Sequence, residues 1–247
     1  LKYREAIQIL NSVVSNSSFP KNNYADINLA NMNFFMKSNN IDRMSLQRLN
    51  FIHVSGTKGK GSVCAIIESI LRKYGLKTGF YSSPHLVEVR ERIRINGAPL
   101  SYKQFHEYFF EIFAKKGLLN INEMGDKPGY FMLLTILAFH VFLEEKVDIV
   151  VLETGIGGRF DFTNIIPNNL LSVITLVDFD HMNLLGNSLE EISWNKAGII
   201  KNNSKVITSA QNSTSVLKVI EREVIEKSVF QKKLIKVRFE GNSFPRN

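Results

Sequence analysis

Apolar and polar positions change period several times along this chain, and each change marks an element. Ala6, Ile7, Leu10 and Val14 recur at helical spacing and predict a helix over residues 1–14. Leu29, Met32, Phe35 and Met36 predict a second helix over 27–38, and the polar stretch at 16–23 between them reads as a loop. From residue 51 the period alternates. Phe51-Ile52-His53-Val54 reads as a short strand. Ala65, Ile66, Ser69 and Ile70 predict a helix ending near Gly75, and 78–82 reads as the next strand. Helices are predicted over 102–115, 130–145, 189–196 and 216–226, and strands over 148–152, 171–177 and 205–208. Ile149-Val150-Val151-Leu152 is nearly all apolar, as expected where both faces of a sheet are covered. The polar tail at 241–247 reads as frayed.

Strands alternating with helices predict an α/β fold, a mostly parallel sheet flanked by helices. Ligands of such sheets sit beyond the carboxyl ends of the strands. The predicted strands end on a glycine loop after Val54, on Ser83-Pro84-His85 after Ser82, on Glu153 after Leu152, and on Asp178, Asp180 and His181 after Val177. Four strands therefore deliver charge-handling groups to one edge.

Composition narrows the partners. The chain has 247 residues, 44% of them hydrophobic, enough for a substantial core. Its longest apolar stretch, residues 130–143, is interrupted by Thr135 and His140 and ends in Glu144-Glu145-Lys146, so it reads as a buried helix and not a membrane span. No membrane partner is expected. Cys64 is the single cysteine, which excludes a disulfide framework or a cysteine zinc site and fits a reducing compartment. No secretory signal is recognised, and a chain starting at Leu1 is compatible with a natural N-terminus further upstream. The formal charge of +8 favours polyanionic partners, but the basic residues are spread along the chain, which argues against nucleic acid.

The stretch HVSGTKGKGSV, residues 53–63, joins a strand to a helix through three glycines and two lysines. Such a loop is either a structural turn or a phosphate cradle, and the strand–loop–helix setting favours the cradle. The backbone N–H groups of 56–62 are expected to face phosphate oxygens, with Lys60 neutralising the outer phosphates and Ser62 holding magnesium or capping the helix. The match to G-x-x-x-x-G-K-[ST] is imperfect: Val54 stands at the first glycine position, and Gly61 separates Lys60 from Ser62. In LETGIGGRFDFTN, residues 152–164, Glu153 is a candidate magnesium ligand or a plain surface carboxylate. His181 in DFDHMNLLG is a candidate acid/base or ligand, or a structural histidine; magnesium prefers oxygen, so the residues alone do not assign it to that metal. Lys196 in WNKAGII is either a snorkelling lysine or a buried one with a lowered pKa. Ser83-Pro84 is an ordinary turn signal. His140, Cys64 and Trp194 read as packing residues.

Taken in order, GTKGKGS, SSPHLVEVRERIRING, ETGIGGRFDFTN, DHMNLLG and KAGIIK resemble the folylpolyglutamate synthase family of the ATP-dependent Mur ligases, over about residues 27–209, with 82–97 most like the eukaryotic members. The resemblance implies a P-loop-containing Mur-ligase-like central domain and an enzyme that adds L-glutamate to the γ-carboxyl of a folate through an acyl phosphate. It implies that Gly56, Thr57, Lys58, Gly59, Lys60, Gly61 and Ser62 cradle ATP. It makes Ser83, Glu153 and His181 the magnesium ligands, with potassium as a further cation, and Lys60, His181 and Lys196 the catalytic groups, Lys196 being carbamylated. Ser83, Pro84 and His85 would border the folate, and Asp161 and Asn164 would shape the loop near the metals. The whole stretch 1–247 is expected to be the ATP-binding domain, with the family's second, glutamate-binding domain missing in cis and the isolated domain inactive. A monomer in the cytoplasm, with mitochondria as a second location, is expected. Two neighbouring readings stay open: a dihydrofolate synthase or bifunctional enzyme, and a nucleotide-binding module without catalysis. A simple P-loop ATPase or kinase is disfavoured by the motif set.

Overall fold

A computed structural model describes residues 2–13, 24–113, 129–227 and 234–237. An eight-stranded sheet forms its centre. The strands are β1 (Phe51–Ser55), β2 (Thr78–Tyr81), β3 (Ile93–Ile95), β4 (Ala98–Pro99), β5 (Ile149–Glu153), β6 (Leu171–Ile174), β7 (Lys205–Ser209) and β8 (Leu234–Val237), in the order β4-β3-β2-β5-β1-β6-β7-β8. Strands β2, β5, β1, β6, β7 and β8 run parallel, and β3 and β4 are antiparallel. The helices are α1 (Lys2–Ser12), α2 (Tyr24–Ser38), α3 (Arg43–Gln47), α4 (Lys60–Lys73), α5 (Tyr102–Phe113), α6 (Tyr130–Glu144), α7 (Met182–Leu185), α8 (Leu189–Ala197) and α9 (Thr214–Lys227). Among the described residues no helix is long and apolar enough to cross a membrane.

Period two along the central strands divides the core. Phe51, Tyr81, Val150 and Leu152 face one layer, with Phe105, Phe109 and Phe139 of α5 and α6. Ile52, Val54, Phe80, Val151 and Val173 face the other, under Cys64, Ile67 and Leu71 of α4. Helix α6 is buried from Met132 through Phe142, which is why its sequence is apolar on every side. A third cluster joins Ile174 and Val206 to α8 and α9.

Most predicted elements are present with small shifts. The largest shift is useful: α4 begins at Lys60, inside the glycine loop, five residues before the first apolar position that marked it. The strand expected over 171–177 pairs as sheet only to Ile174, and residues 175–178 leave the ladder to bind that loop. Four elements were not predicted: α3, α7, β8 and the β3–β4 hairpin. The hairpin turns on Asn96-Gly97, both at positive φ (50° and 80°), a strong hairpin dipeptide lying in plain view. The expected loop at 16–23, the last two residues of the helix over 102–115 and the polar tail at 241–247 lie outside the described residues.

Candidate active site

Strands β1, β2, β5 and β6 end at one edge, so their following loops meet there. The loop after β1 is stitched to the segment after β6. Thr57 and Lys58 both donate backbone N–H to the Leu176 carbonyl (2.8 and 3.3 Å). The Thr57 hydroxyl donates to the Asp178 carbonyl (2.9 Å) and accepts from the Asp178 N–H (3.0 Å). Thr175 Oγ1 donates to the Lys58 carbonyl (2.8 Å). Gly56 is buried at φ 145°, and a Cβ there would overlap Thr175 Oγ1, so only glycine fits.

This stitching engages the N–H groups of Thr57 and Lys58 with the Leu176 carbonyl. The first intrahelical acceptor of α4 is the Gly59 carbonyl, taken by Val63 N–H (3.0 Å). The N–H groups of Lys60, Gly61 and Ser62 are thus left for an external acceptor at a positive helix end. Lys58 is exposed and pairs with Asp178 (3.4 Å), a surface contact of small value.

Two lysines converge on one oxygen. Lys60 Nζ donates to the Gly56 carbonyl (3.1 Å) and the Thr57 carbonyl (3.4 Å). Lys196 Nζ, on the last turn of α8, donates to the same Gly56 carbonyl (2.9 Å). Lys196 is 2% exposed. Burial, then the Lys60 charge, lowers its pKa from 10.5 to about 8, against the opposing pull of Asp180 and Asp161. Two cations beside one carbonyl and a helix N-terminus make a strongly electropositive spot.

Glu153 ends β5 and faces that spot. It is 4% exposed, and burial pushes its carboxyl above the usual range, offset by the Ser83 N–H (3.1 Å) and by Lys60. A Cβ on Gly61 would stand 3.6 Å from both Glu153 oxygens, which sets the carboxylate against the first turn of α4. The structure therefore brings Lys60, Gly61, Ser83, Glu153 and Lys196 together. His85 stands two residues beyond Ser83. Its Nδ1 accepts from Arg92 Nε (2.9 Å), so a neutral ring carries its proton on Nε2; burial and Arg92 both lower its pKa. The Leu86-Val87 tip is exposed but pinned, because the Glu91 carboxylate accepts N–H bonds from Leu86, Val87 and Glu88 (2.9, 3.0 and 2.8 Å).

Three further predicted residues make contacts of their own, Asp161 near enough for its charge to act on Glu153 and Lys196. Asp161 is buried with both oxygens inside its own loop: Oδ2 accepts from the N–H groups of Gly155 and Ile156 (both 3.0 Å), and Oδ1 from Thr163 N–H (3.0 Å) and hydroxyl. It holds the glycine turn in shape. Asn164 Nδ2 donates to the carbonyls of Arg159 (2.9 Å) and Gly198 (3.1 Å), tying that turn to the end of α8. His181 is exposed, sits at φ 47° before α7 and pairs with Asp180 (3.7 Å). Among the described residues no three His, Cys, Asp or Glu side chains are grouped to hold a metal. What the site offers a metal is oxygen, the Glu153 carboxylate beside Ser83, and this suits Mg²⁺, which takes one or two carboxylates and fills its shell with phosphate and water.

Sequence reasoning missed the residues that position the site. Asn195 Oδ1 accepts from Gly158 N–H (3.2 Å) and its carbonyl from Arg159 N–H (2.7 Å), locking the glycine turn onto the helix that carries Lys196. Arg159 stacks over Trp194 (3.9 Å) and pairs with Glu223 (2.7 Å). Asn195 beside Lys196 was the available signal.

No protein-family model matches the chain. It is 43% identical over 233 residues to a putative folylpolyglutamate synthase of Caenorhabditis elegans, covering 92% of this chain and 45% of that one. It is 44% identical over 216 residues to the mitochondrial folylpolyglutamate synthase of Homo sapiens, covering 85% and 37%. A solved complex of FPGS with AMPPCP and folate superposes with a TM-score of 0.83 at 28% identity, over 97% of this chain and 54% of that one. The chain spans about half the length of these relatives.

Proposed function

We propose that this chain, related in sequence and fold to the folylpolyglutamate synthases, is the ATP-binding part of a ligase that joins L-glutamate to the γ-carboxyl of a folate. The convergence of Lys60 and Lys196 on the Gly56 carbonyl, opposite Glu153, carries the reading. The chemistry must bring a carboxylate against an anionic phosphoryl group, and catalysis is mostly charge neutralisation and positioning. The free N–H groups of Lys60, Gly61 and Ser62 receive the phosphates, and Lys60 swings from its carbonyls to the outer one. Glu153 and Ser83 would hold Mg²⁺, which would offset the charge of the phosphates when bound. A folate carboxylate oxygen then attacks the terminal phosphorus, ADP leaves, and the glutamate amine displaces phosphate from the acyl phosphate, losing a proton as the amide forms.

Lys196 is proposed to act as its carbamate. Its neutral amine adds CO₂, forming an N–C bond and releasing one proton, and the product exchanges a cation crowded by Lys60 for an anion attracted to it. A pKa near 8 supplies neutral amine at physiological pH. The Ser83-Pro84-His85 loop borders the folate, the AMPPCP–folate complex of the related FPGS supporting a shared cleft. The test is ADP formation by protein carrying this chain. Formation that requires both tetrahydrofolate and L-glutamate is expected; ADP release from ATP alone would refute the ligase reading.

A further inference from the structure

At the opposite end of the sheet lies a second cleft. It is lined by Leu29, Met36, Arg43, Leu46, Ile165 and Lys201, among others, and encloses about 300 Å³. Its walls come from the segments that lead into β1, β6 and β7, so it opens at the amino ends of the parallel strands, while the phosphate cradle lies at their carboxyl ends. Among the described residues three cations line it: Lys37 and Arg43, both exposed, and the partly buried Lys201. None of them has an ion-pair partner among the described residues.

Among the described residues the one acid on the wall is committed. Asp42 caps α3, accepting from Ser45 N–H and hydroxyl (both 2.7 Å). Among the described residues Lys201 Nζ donates to the Asn164 carbonyl alone (2.9 Å). Its pKa falls to about 8 through burial and the neighbouring charges of Lys227 and Arg43, with no carboxylate acting the other way. Asn164 is nine-tenths buried, and its Oδ1 has no hydrogen-bond partner. The positive charge of the partly buried Lys201, with no carboxylate beside it, is costly unless an anion joins it. Apart from Asn33 and Asn164, the remaining lining, including Ile41, Ile166 and Pro167, is apolar, so bare phosphate would leave that part of the wall unfilled.

We propose that this cleft is a second binding site, distinct from the ligase site, for a small organic anion: a carboxylate on an apolar body, its charge between Lys201 and Arg43 and its body against Leu46 and Ile165. The test is titration of the chain with sodium benzoate, read from backbone amide shifts, with sodium phosphate as the comparison probe. Saturable shifts at Leu46, Ile165 and Lys201 are expected with benzoate and not with phosphate. Lys201→Gln and Arg43→Gln should each weaken benzoate at least tenfold while leaving AMPPCP binding unchanged. Benzoate should also slow acylation of the Lys201 amine by a small amine-reactive reagent, a measurement on the unaltered chain that needs no variant to fold. Absent shifts, equal response to phosphate, or shifts that survive both variants without protection of Lys201 would overturn the proposal.

Discussion

Replacing Lys196 by methionine should make the protein more stable at neutral pH, even as it removes a functional group. The folded chain holds this lysine near pKa 8 against an ordinary 10.5. At about 1.36 kcal/mol per pKa unit the protonated form is disfavoured by about 3 kcal/mol. The group's folded pKa is depressed, so its sign is clear. Below pH about 8 the amine is protonated in both states and the fold bears the whole cost. As pH rises from about 8 towards 10.5 the folded chain sheds its proton first, and the cost fades. Lys196→Met leaves the Gly56 carbonyl bonded to Lys60, so no buried acceptor is orphaned. Urea unfolding of parent and variant at pH 7 and pH 10, in CO₂-free buffer so that the amine is not carbamylated, measures the effect. The variant's advantage should be about 2.5 kcal/mol larger at pH 7 than at pH 10. A difference that does not change with pH, or changes in the opposite direction, would show that Lys196 is neither buried nor crowded as described.

Other changes test other parts of the site. Lys60→Ala should weaken AMPPCP binding at least tenfold by calorimetry and raise the Lys196 pKa, because Lys60's charge helps depress it. Glu153→Gln keeps an acceptor for the Ser83 N–H and removes a carboxylate whose pKa burial raises; it should stabilise the fold at pH 7 in urea unfolding, the gain shrinking as pH falls, while abolishing the Mg²⁺ dependence of nucleotide binding. Gly56→Ala should cost about 2 kcal/mol or more through overlap with Thr175 and positive φ. Adding Thr175→Ala to it should restore only part of that in the same unfolding assay, since the backbone strain remains.

Much of the fold was legible because burial writes itself into the chain. The apolar run into Glu153 identified a central strand, and polar residues at four strand ends identified the working edge. The start of α4 was hidden, because a helix that opens on Lys60-Gly61-Ser62 shows no apolar position until Val63. The segment at 175–177 looked like strand, and only the structure shows the Leu176 carbonyl spent on Thr57 and Lys58 and the Val177 N–H on Asn212. Glu153 and Lys196 were legible as charges after or among apolar residues. Asp161 was expected to shape its loop, and its carboxylate serves three backbone N–H groups of that turn. Local spacing does not reveal whether a carboxylate faces inward to its loop or outward to a ligand. For the same reason the pairing of two lysines on one carbonyl, 136 residues apart in numbering between Lys60 and Lys196, has no signature in either motif.

The central claim is that the first turn of α4, with Lys60, receives a nucleotide's phosphates. Backbone and lysine-amine NMR during titration with Mg²⁺ and AMPPCP tests it most directly. The largest shifts should fall on the Lys60, Gly61 and Ser62 amides and on the Lys60 amine, with Thr57 and Lys58 amides moving little because Leu176 already holds them. Shifts centred on Thr57 and Lys58, or none at the start of α4, would contradict it.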